Sequence, residues 1–166
     1  MDSDKKEEIV IKTSDNFTIK VETKYFAKSK FLQGLIDDYG DNDEEIPLME
    51  INKINLDYVM NYLKTFEKED PKDIPKPFPE KVDEEFFKEA VGEKVYNFLK
   101  EIKDGDFIDL LNTANYLSID GLVQIISAKL AFEMCNCDIE EARKKFGINC
   151  DMNENEIKEI EKYPLD

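Results

Sequence analysis

Histidine and tryptophan are both absent from this chain of 166 residues. An imidazole supplies the base of Ser-His-Asp triads and Cys-His dyads, and it is a ligand in Cys2His2 fingers and H-E-x-x-H zinc sites. None of these centres can be built from this sequence, which excludes much of the common hydrolytic chemistry. The sequence also contains no G-x-G-x-x-G motif and no P-loop, and we expect neither a cofactor nor a metal.

Cysteine is scarce, with only Cys135, Cys137 and Cys150 present. Three thiolates fall one short of the four ligands that a structural zinc ion usually takes, and no histidine can complete the set. An odd cysteine count in a chain of intracellular character favours reduced thiols. A thiol-dependent activity through Cys135 or Cys137 is left as a distant alternative.

Basic residues are also few compared with acidic ones: the chain has 23 Lys and Arg and 39 Asp and Glu, which gives a formal net charge of -16. Such a field repels phosphate backbones and anionic lipid headgroups, so we expect neither nucleic acid nor a membrane as partner. No run approaches the ~18 consecutive apolar residues of a spanning helix. The opening MDSDKKEEIV lacks the apolar core of a signal peptide, and we expect a cytoplasmic and nuclear protein.

Two alternating apolar runs near the N-terminus predict a β-hairpin. The runs EIVIKT, 8–13, and NFTIKVE, 16–22, flank turn-forming residues. Helical spacing follows over 25–39, then an acidic solvated loop over 37–45 and a short extended piece over 46–48. Alternation places a set of apolar strand residues on matching faces, namely Ile9, Ile11, Phe17, Ile19 and Val21.

Most of the remaining chain predicts helices. Four proline residues within 70–80 predict a linker or a surface loop there. Amphipathic spacing predicts four helices, over 54–66, 82–103, 107–117 and 122–134. Gly92 is expected to interrupt the helix over 82–103, Asp106 to cap the helix that begins at residue 107, and Gly121 to turn the chain before the last helix.

The C-terminal segment predicts two short helices with thin apolar faces. Asp138 and Glu141 form a capping-box pattern for a helix that ends at Phe146, and Asn153 with Glu156 repeats the pattern. Isolated helices shorter than about 12 residues are marginal in water. These helices must therefore be held by the rest of the chain or by another protein.

A polar pair, Asn115-Tyr116, interrupts the most apolar run of the chain, LLNTANYLSIDGL at 110–122. The tyrosine ring could pack inside with its hydroxyl hydrogen-bonded. Alternatively, the pair could offer an amide and a phenol to a partner protein, since both side chains combine a flat surface with a directional hydrogen bond. The residues alone leave both alternatives open.

The same run carries a family resemblance. L-x-x-A-N-Y-L-x-I-x-G-L at 111–122, followed by E-E-x-R-K-x-F-x-I at 140–148, resembles the S-phase kinase-associated protein family, the adaptors of Skp–cullin–F-box ubiquitin ligases. T-S-D at 13–15, A-K-S at 27–29 and the acidic loop ahead of I-P-L resemble the BTB/POZ half of that family. The resemblance implies an α+β fold, with a BTB/POZ-like domain followed by a C-terminal helical extension that binds the F-box.

The resemblance also implies how the chain is divided into parts, and one segment of the chain differs in length from the family. Residues 81–103 are longer than the corresponding family segment. The implied parts are the first half of the BTB/POZ-like domain at 1–69, a Pro-rich linker at 70–82, the remaining BTB-like helices at 83–121, and the helical extension at 122–166.

The family's role implies a non-catalytic adaptor that links an F-box substrate receptor to a cullin. Asn115 and Tyr116 match the cullin contacts. The family usually has a C-terminal tryptophan that grips the F-box, and Tyr163 or Leu165 would replace it here. The residues that match F-box contacts are Leu122, Ile126, Phe132, Ile139, Ala142, Phe146, Ile148 and Tyr163.

Two other BTB assemblies compete with this assignment. An elongin-C-like adaptor would recruit a different receptor box, but chains of that kind stop before the segment E-E-A-R-K-K-F-G-I. A homodimer could form when the partners are absent, because the hairpin-and-helix surface of a BTB fold is often self-complementary.

Overall fold

The computed structural model describes residues 7–39, 45–79, 82–147, 156, 158–159 and 162. The chain divides into two compact units, Met1–Asn136 and Cys137–Asp166. The first unit contains a sheet and six α-helices among its described residues, and the described part of the second includes a further α-helix. The predicted α+β class is confirmed.

A three-stranded sheet begins the first unit, with strands β1 (Glu8–Thr13), β2 (Thr18–Glu22) and β3 (Ile46–Leu48) in the order β2-β1-β3. The predicted hairpin is confirmed, since β1 and β2 pair antiparallel, with Ile9 opposite Val21. β3 adds to β1 in parallel, with Ile11 opposite Ile46.

Phe17 is an exception to the predicted inward face of the hairpin, because its side chain is 51% exposed. The Phe17 N–H donates to the hydroxyl of Thr13, and the Phe17 carbonyl accepts from the Thr13 N–H. These bonds hold Phe17 in the turn that precedes β2, where the strand alternation does not yet apply.

The connections between the α-helices of the first unit differ in length, from Gly92 alone to the long Pro-rich linker. This linker packs against the rest of the unit, since Ile74 and Val82 are buried and Lys28 forms an ion pair with Asp70. The helices are α1 (Lys30–Tyr39), α2 (Lys53–Thr65), α3 (Glu84–Val91), α4 (Glu93–Lys100), α5 (Phe107–Tyr116) and α6 (Asp120–Cys135).

The helix predicted over 25–39 is divided. A 3-10 helix covers Thr23–Lys28, Ser29 is extended, and α1 begins at Lys30. The hydroxyl of Ser29 accepts from the N–H of Leu32, as a helix N-cap does. Sequence spacing alone did not detect this cap, because the apolar pattern continues through it.

The expected break at Gly92 is confirmed, whereas two other local expectations were wrong. Gly92 has φ +84 between α3 and α4. Gly121 makes no turn, because it lies within α6. Asp106 makes no side-chain capping bond; its carboxylate instead accepts a 3.0 Å hydrogen bond from the Tyr58 hydroxyl.

The segment after the Pro-rich linker forms α3 and α4 and is built into the core. Phe87, Val95, Phe98 and Leu99 are all buried. The ring of Phe87 stacks on that of Phe132 in α6, with centroids 4.4 Å apart. Both helices therefore contribute side chains to the core of the first unit.

The second unit is described mainly by α7 (Ile139–Phe146). The predicted capping box is confirmed, since Asp138 accepts from the Glu141 N–H and Glu141 accepts from the Asp138 N–H. Gly147 ends the helix in the left-handed conformation at φ 64. The second capping pattern, at Asn153, lies outside the described residues.

Candidate docking surfaces

Helix α5 has one face in the core and one face in solvent. Ile108 is 41% exposed and Tyr116 is 40% exposed. Asn112 and Asn115 are also exposed, and helical spacing places all four on the same side. We call these four residues the α5 docking stripe. The residues that α5 buries are Phe107, Leu110, Thr113 and Ala114.

Tyr116 combines the two alternatives that its sequence context left open. Its ring packs at a tilt against Phe31 of α1, with centroids 4.9 Å apart, while 40% of the residue is exposed. Asn115, its neighbour, is exposed. The pair is therefore partly supported by the protein and partly displayed.

Helix α6 is apolar on nearly all sides. A helix of this kind needs cover on more than one face. Its inner face, formed by Leu122, Ile125 and Ile126, is completely buried in the core. Its opposite side is exposed or half-buried; we call this side the α6 outer face, and it consists of Val123, Ser127, Leu130, Ala131 and Met134.

The five residues of the α6 outer face are uncharged, and the exposed carboxylate of Asp120 lies about one turn before Val123, at the start of the helix. The charged pair nearest to it in sequence, Lys129 and Glu133, forms an ion pair in which each side chain is about one-fifth exposed, 20% and 19%. Lys129 also lies 5.3 Å from the ring centroid of Phe132. The α6 outer face is thus a continuous surface of apolar and small side chains, 55% exposed at Met134.

The predicted F-box contacts of α6 fall on the inner side of the helix. Leu122 and Ile126 are both 0% exposed, so neither side chain is available to a partner in this arrangement. Phe132 is half-buried and is stacked on Phe87. The role of these three residues in F-box binding stays a prediction, and the more exposed periodic set of α6 begins one position later, at Val123.

The predicted contacts of α7 lie together on one helical face. Ile139 is 73% exposed, and Ala142 and Phe146 are half-buried. Spacing of three and then four residues aligns the three side chains. Ile148 and Tyr163, the remaining predicted contacts, lie outside the described residues.

Neither metal ligands nor a membrane-spanning helix is found in the described part of the chain. No three His, Cys, Asp or Glu residues there are grouped so that they could hold a metal ion. No helix among those residues has the length and apolar character to cross a bilayer. The thiol of Cys135 is exposed and that of Cys137 is half-buried, while Cys150 lies outside the described ranges.

Comparison with known proteins relates these surfaces to a family. Residues 7–68 match the family model described as Skp1 family, tetramerisation domain. SKP1-like protein 4 of Arabidopsis thaliana is 28% identical over 159 residues, covering 93% of this chain and 92% of the relative. The matched residues contain the sheet, α1 and α2, so this part of the chain is similar to the POZ domain of the Skp1 family. The match confirms the α+β, POZ-like fold that the resemblance implied.

Two further relatives cover most of the chain. A protein of Arthroderma otae named E3 ubiquitin ligase complex SCF subunit sconC is 25% identical and covers 92% of this chain and 89% of its own length. A Skp1-related protein of Caenorhabditis elegans is 26% identical and covers 95% of this chain and 90% of its own length. The similarity therefore extends over both compact units.

Proposed function

We propose that this protein is a non-catalytic adaptor of an SCF ubiquitin ligase that links an F-box substrate receptor to a cullin, for protein ubiquitination and degradation. The match of residues 7–68 to the Skp1 family model supports the proposal, as does the name of the Arthroderma relative, an SCF subunit. An adaptor holds two partners at once and so needs two separate surfaces. The observation that carries the proposal is that successive helices, α5 and α6, each expose a face of different chemistry.

The α5 docking stripe is the surface that we assign to the cullin. It combines an exposed isoleucine, two amides and a half-exposed phenol. Interfaces concentrate their binding energy in a few side chains that join apolar area with directional hydrogen bonds. Asn115 and Tyr116, the residues matched by the family resemblance, stand at the C-terminal end of this stripe.

The α6 outer face and the apolar face of α7 are the surfaces that we assign to the F-box. Both faces present apolar side chains at helical spacing, which is the arrangement used when a helix packs against a partner's helices. Ala131 and Met134 contribute on α6, and Ile139, Ala142 and Phe146 contribute on α7. Leu122 and Ile126 support α6 from the core.

Charge variants test the cullin surface. Asn115→Lys combined with Tyr116→Lys should weaken binding to the N-terminal region of a cullin by about 30-fold or more, because two central contacts are lost. Binding to an F-box segment should be unchanged. Asn97→Lys, on an exposed position of α4, is the matched control and should bind both partners normally. Loss of both partners in the double variant would indicate misfolding and remove support for the stripe.

A complementary variant tests the F-box surface. Ala131→Glu places a carboxylate on the α6 outer face, and we expect about 30-fold weaker binding to an F-box segment with unchanged cullin binding. Asn97→Glu, at an exposed position of α4, controls for the added negative charge. If no F-box segment from a broad panel binds the unmodified chain, an elongin-C-like adaptor or a homodimer becomes the better proposal, and sedimentation separates those two.

The proposed function also implies where in the cell the protein acts. An adaptor of this kind acts in the cytoplasm and the nucleus, and an exposed thiol at Cys135 suits a reducing compartment. The same proposal assigns no catalytic role to that thiol. Replacing Cys135 and Cys137 by serine should therefore leave binding of both partners unchanged.

A further inference from the structure

The first turn of α1 meets the last turn of α5 at two points. The buried hydroxyl of Ser29 donates to the carbonyl oxygen of Leu117 at 2.5 Å, across 88 positions of sequence. Two residues further along α1, the ring of Phe31 packs on the ring of Tyr116, with centroids 4.9 Å apart. The end of α5 is thus held by a hydrogen bond in the core and by a ring contact nearer the surface.

The end of a helix is where a side chain most needs such support. Tyr116 is the last residue of α5, and Ser118 adopts φ 53 only two positions later. Terminal turns fray, and a half-exposed tyrosine on such a turn can sample several rotamers. The buried Ser29–Leu117 bond holds the backbone, whereas Phe31 is the contact that restricts the ring.

We infer that Phe31 is a positioning residue that holds the Tyr116 ring in the orientation used for cullin docking. This inference rests on the proposed function, since it concerns the same α5 docking stripe. Phe31 is half-buried and packs against the core, so its own place is defined by the fold. A partner that meets an already oriented ring does not have to immobilise it, which strengthens binding by about 3- to 10-fold for one side chain.

A double-mutant cycle separates positioning from general stability. Phe31→Leu keeps an apolar side chain of similar size and removes the ring, while Phe31→Tyr restores a ring. We expect Phe31→Leu to weaken binding to a cullin N-terminal fragment by about 3- to 10-fold, with F-box binding unchanged and Phe31→Tyr close to the unmodified chain. In a Tyr116→Ala background, Phe31→Leu should have no further effect on cullin binding.

The cycle also distinguishes failure of this inference from failure of the proposed function. If Tyr116→Ala weakens cullin binding but Phe31→Leu does not, Phe31 is not a positioning residue and the docking stripe stands. Equal losses from Phe31→Leu with and without the Tyr116 ring would likewise overturn the inference, because the effect would not pass through that ring. If Tyr116→Ala leaves cullin binding intact, the assignment of the stripe itself is overturned.

Discussion

The phenol oxygen of Tyr62 lies in the space that a side chain at Gly121 would occupy. A Cβ atom built on Gly121 overlaps this oxygen, and the next ring atom, Cζ, is 3.6 Å away. Tyr62 cannot easily withdraw, because it is 1% exposed and packs on the rings of Phe66 and Phe98 at 5.0 and 5.8 Å. Glycine at position 121 thus permits the close approach of α6 to α2.

Gly121→Ala should therefore destabilise the protein, by about 1–3 kcal/mol as for other overpacked sites. Tyr62→Phe removes the overlapping atom. In that background the same substitution should instead stabilise by up to about 1 kcal/mol, because alanine favours a helix more than glycine does. Urea unfolding of the four chains of the cycle measures both effects, and an equal loss in the two backgrounds would show that Tyr62 is not the obstacle.

Gly34 provides a matched comparison for this pair. It lies within α1, and nothing is found within 4 Å of the position that its Cβ would take. Gly34→Ala should raise the free energy of unfolding by up to about 1 kcal/mol through helix propensity alone. A destabilising result in the same urea titrations would mean that backbone conformation, and not space, limits alanine at these glycines.

Alkaline pH should reveal the burial of Tyr62. Burial, with a smaller effect of the Asp70 charge, raises the pKa of Tyr62 well above its ordinary value. Between about pH 10 and the folded-state pKa, the unfolded chain loses this phenolic proton while the folded chain keeps it. The unfolded state then binds fewer protons, so stability falls as pH rises, by up to about 1.4 kcal/mol per pH unit from this group.

Tyr62→Phe isolates this contribution from the lysines that titrate in the same range. The variant should show a shallower loss of unfolding free energy between about pH 9.5 and 11.5, measured by urea titration at each pH. Parallel pH profiles for the two chains would contradict the prediction.

Ser29→Ala should cost more than a typical serine substitution. The hydroxyl accepts from the Leu32 N–H and donates to the buried Leu117 carbonyl, so its removal leaves two backbone groups without this partner. We expect a loss of about 1–3 kcal/mol in thermal or urea unfolding. Ser127→Ala, on the exposed side of α6, is the control and should change stability by less than about 0.5 kcal/mol. Similar losses for both variants would refute the role of the Ser29 bonds.

Asp83 and Asp106 precede α3 and α5 and should behave differently. Asp83 caps α3 by accepting from the Phe86 N–H at 2.8 Å, so Asp83→Ala should cost about 1 kcal/mol. Asp106 caps nothing with its side chain and accepts from Tyr58. In a Tyr58→Phe background, Asp106→Ala should therefore change stability by less than about 0.5 kcal/mol, whereas a loss equal to that of Asp83→Ala would indicate a hidden cap.

Features set by neighbouring residues were predictable from the sequence. The alternation of β1 and β2 predicted the hairpin, Gly92 predicted the break between α3 and α4, and Asp138 with Glu141 predicted the capping box. Each depends on a backbone preference or a hydrogen bond that spans only a few positions. Such interactions depend only on residues that are close together in the sequence, so the sequence alone predicts them.

The inward side of α6, the break at Ser29 and the support of Tyr116 by Phe31 were decided only by the tertiary structure. An apolar pattern around the whole of α6 cannot tell which face meets the core, so Leu122 and Ile126 were as plausible for docking as Ala131. Which face is left for a partner depends on which residues, distant in the sequence, pack against the helix. The sequence by itself determined the local elements, and packing between distant segments decided which side chains remain outside.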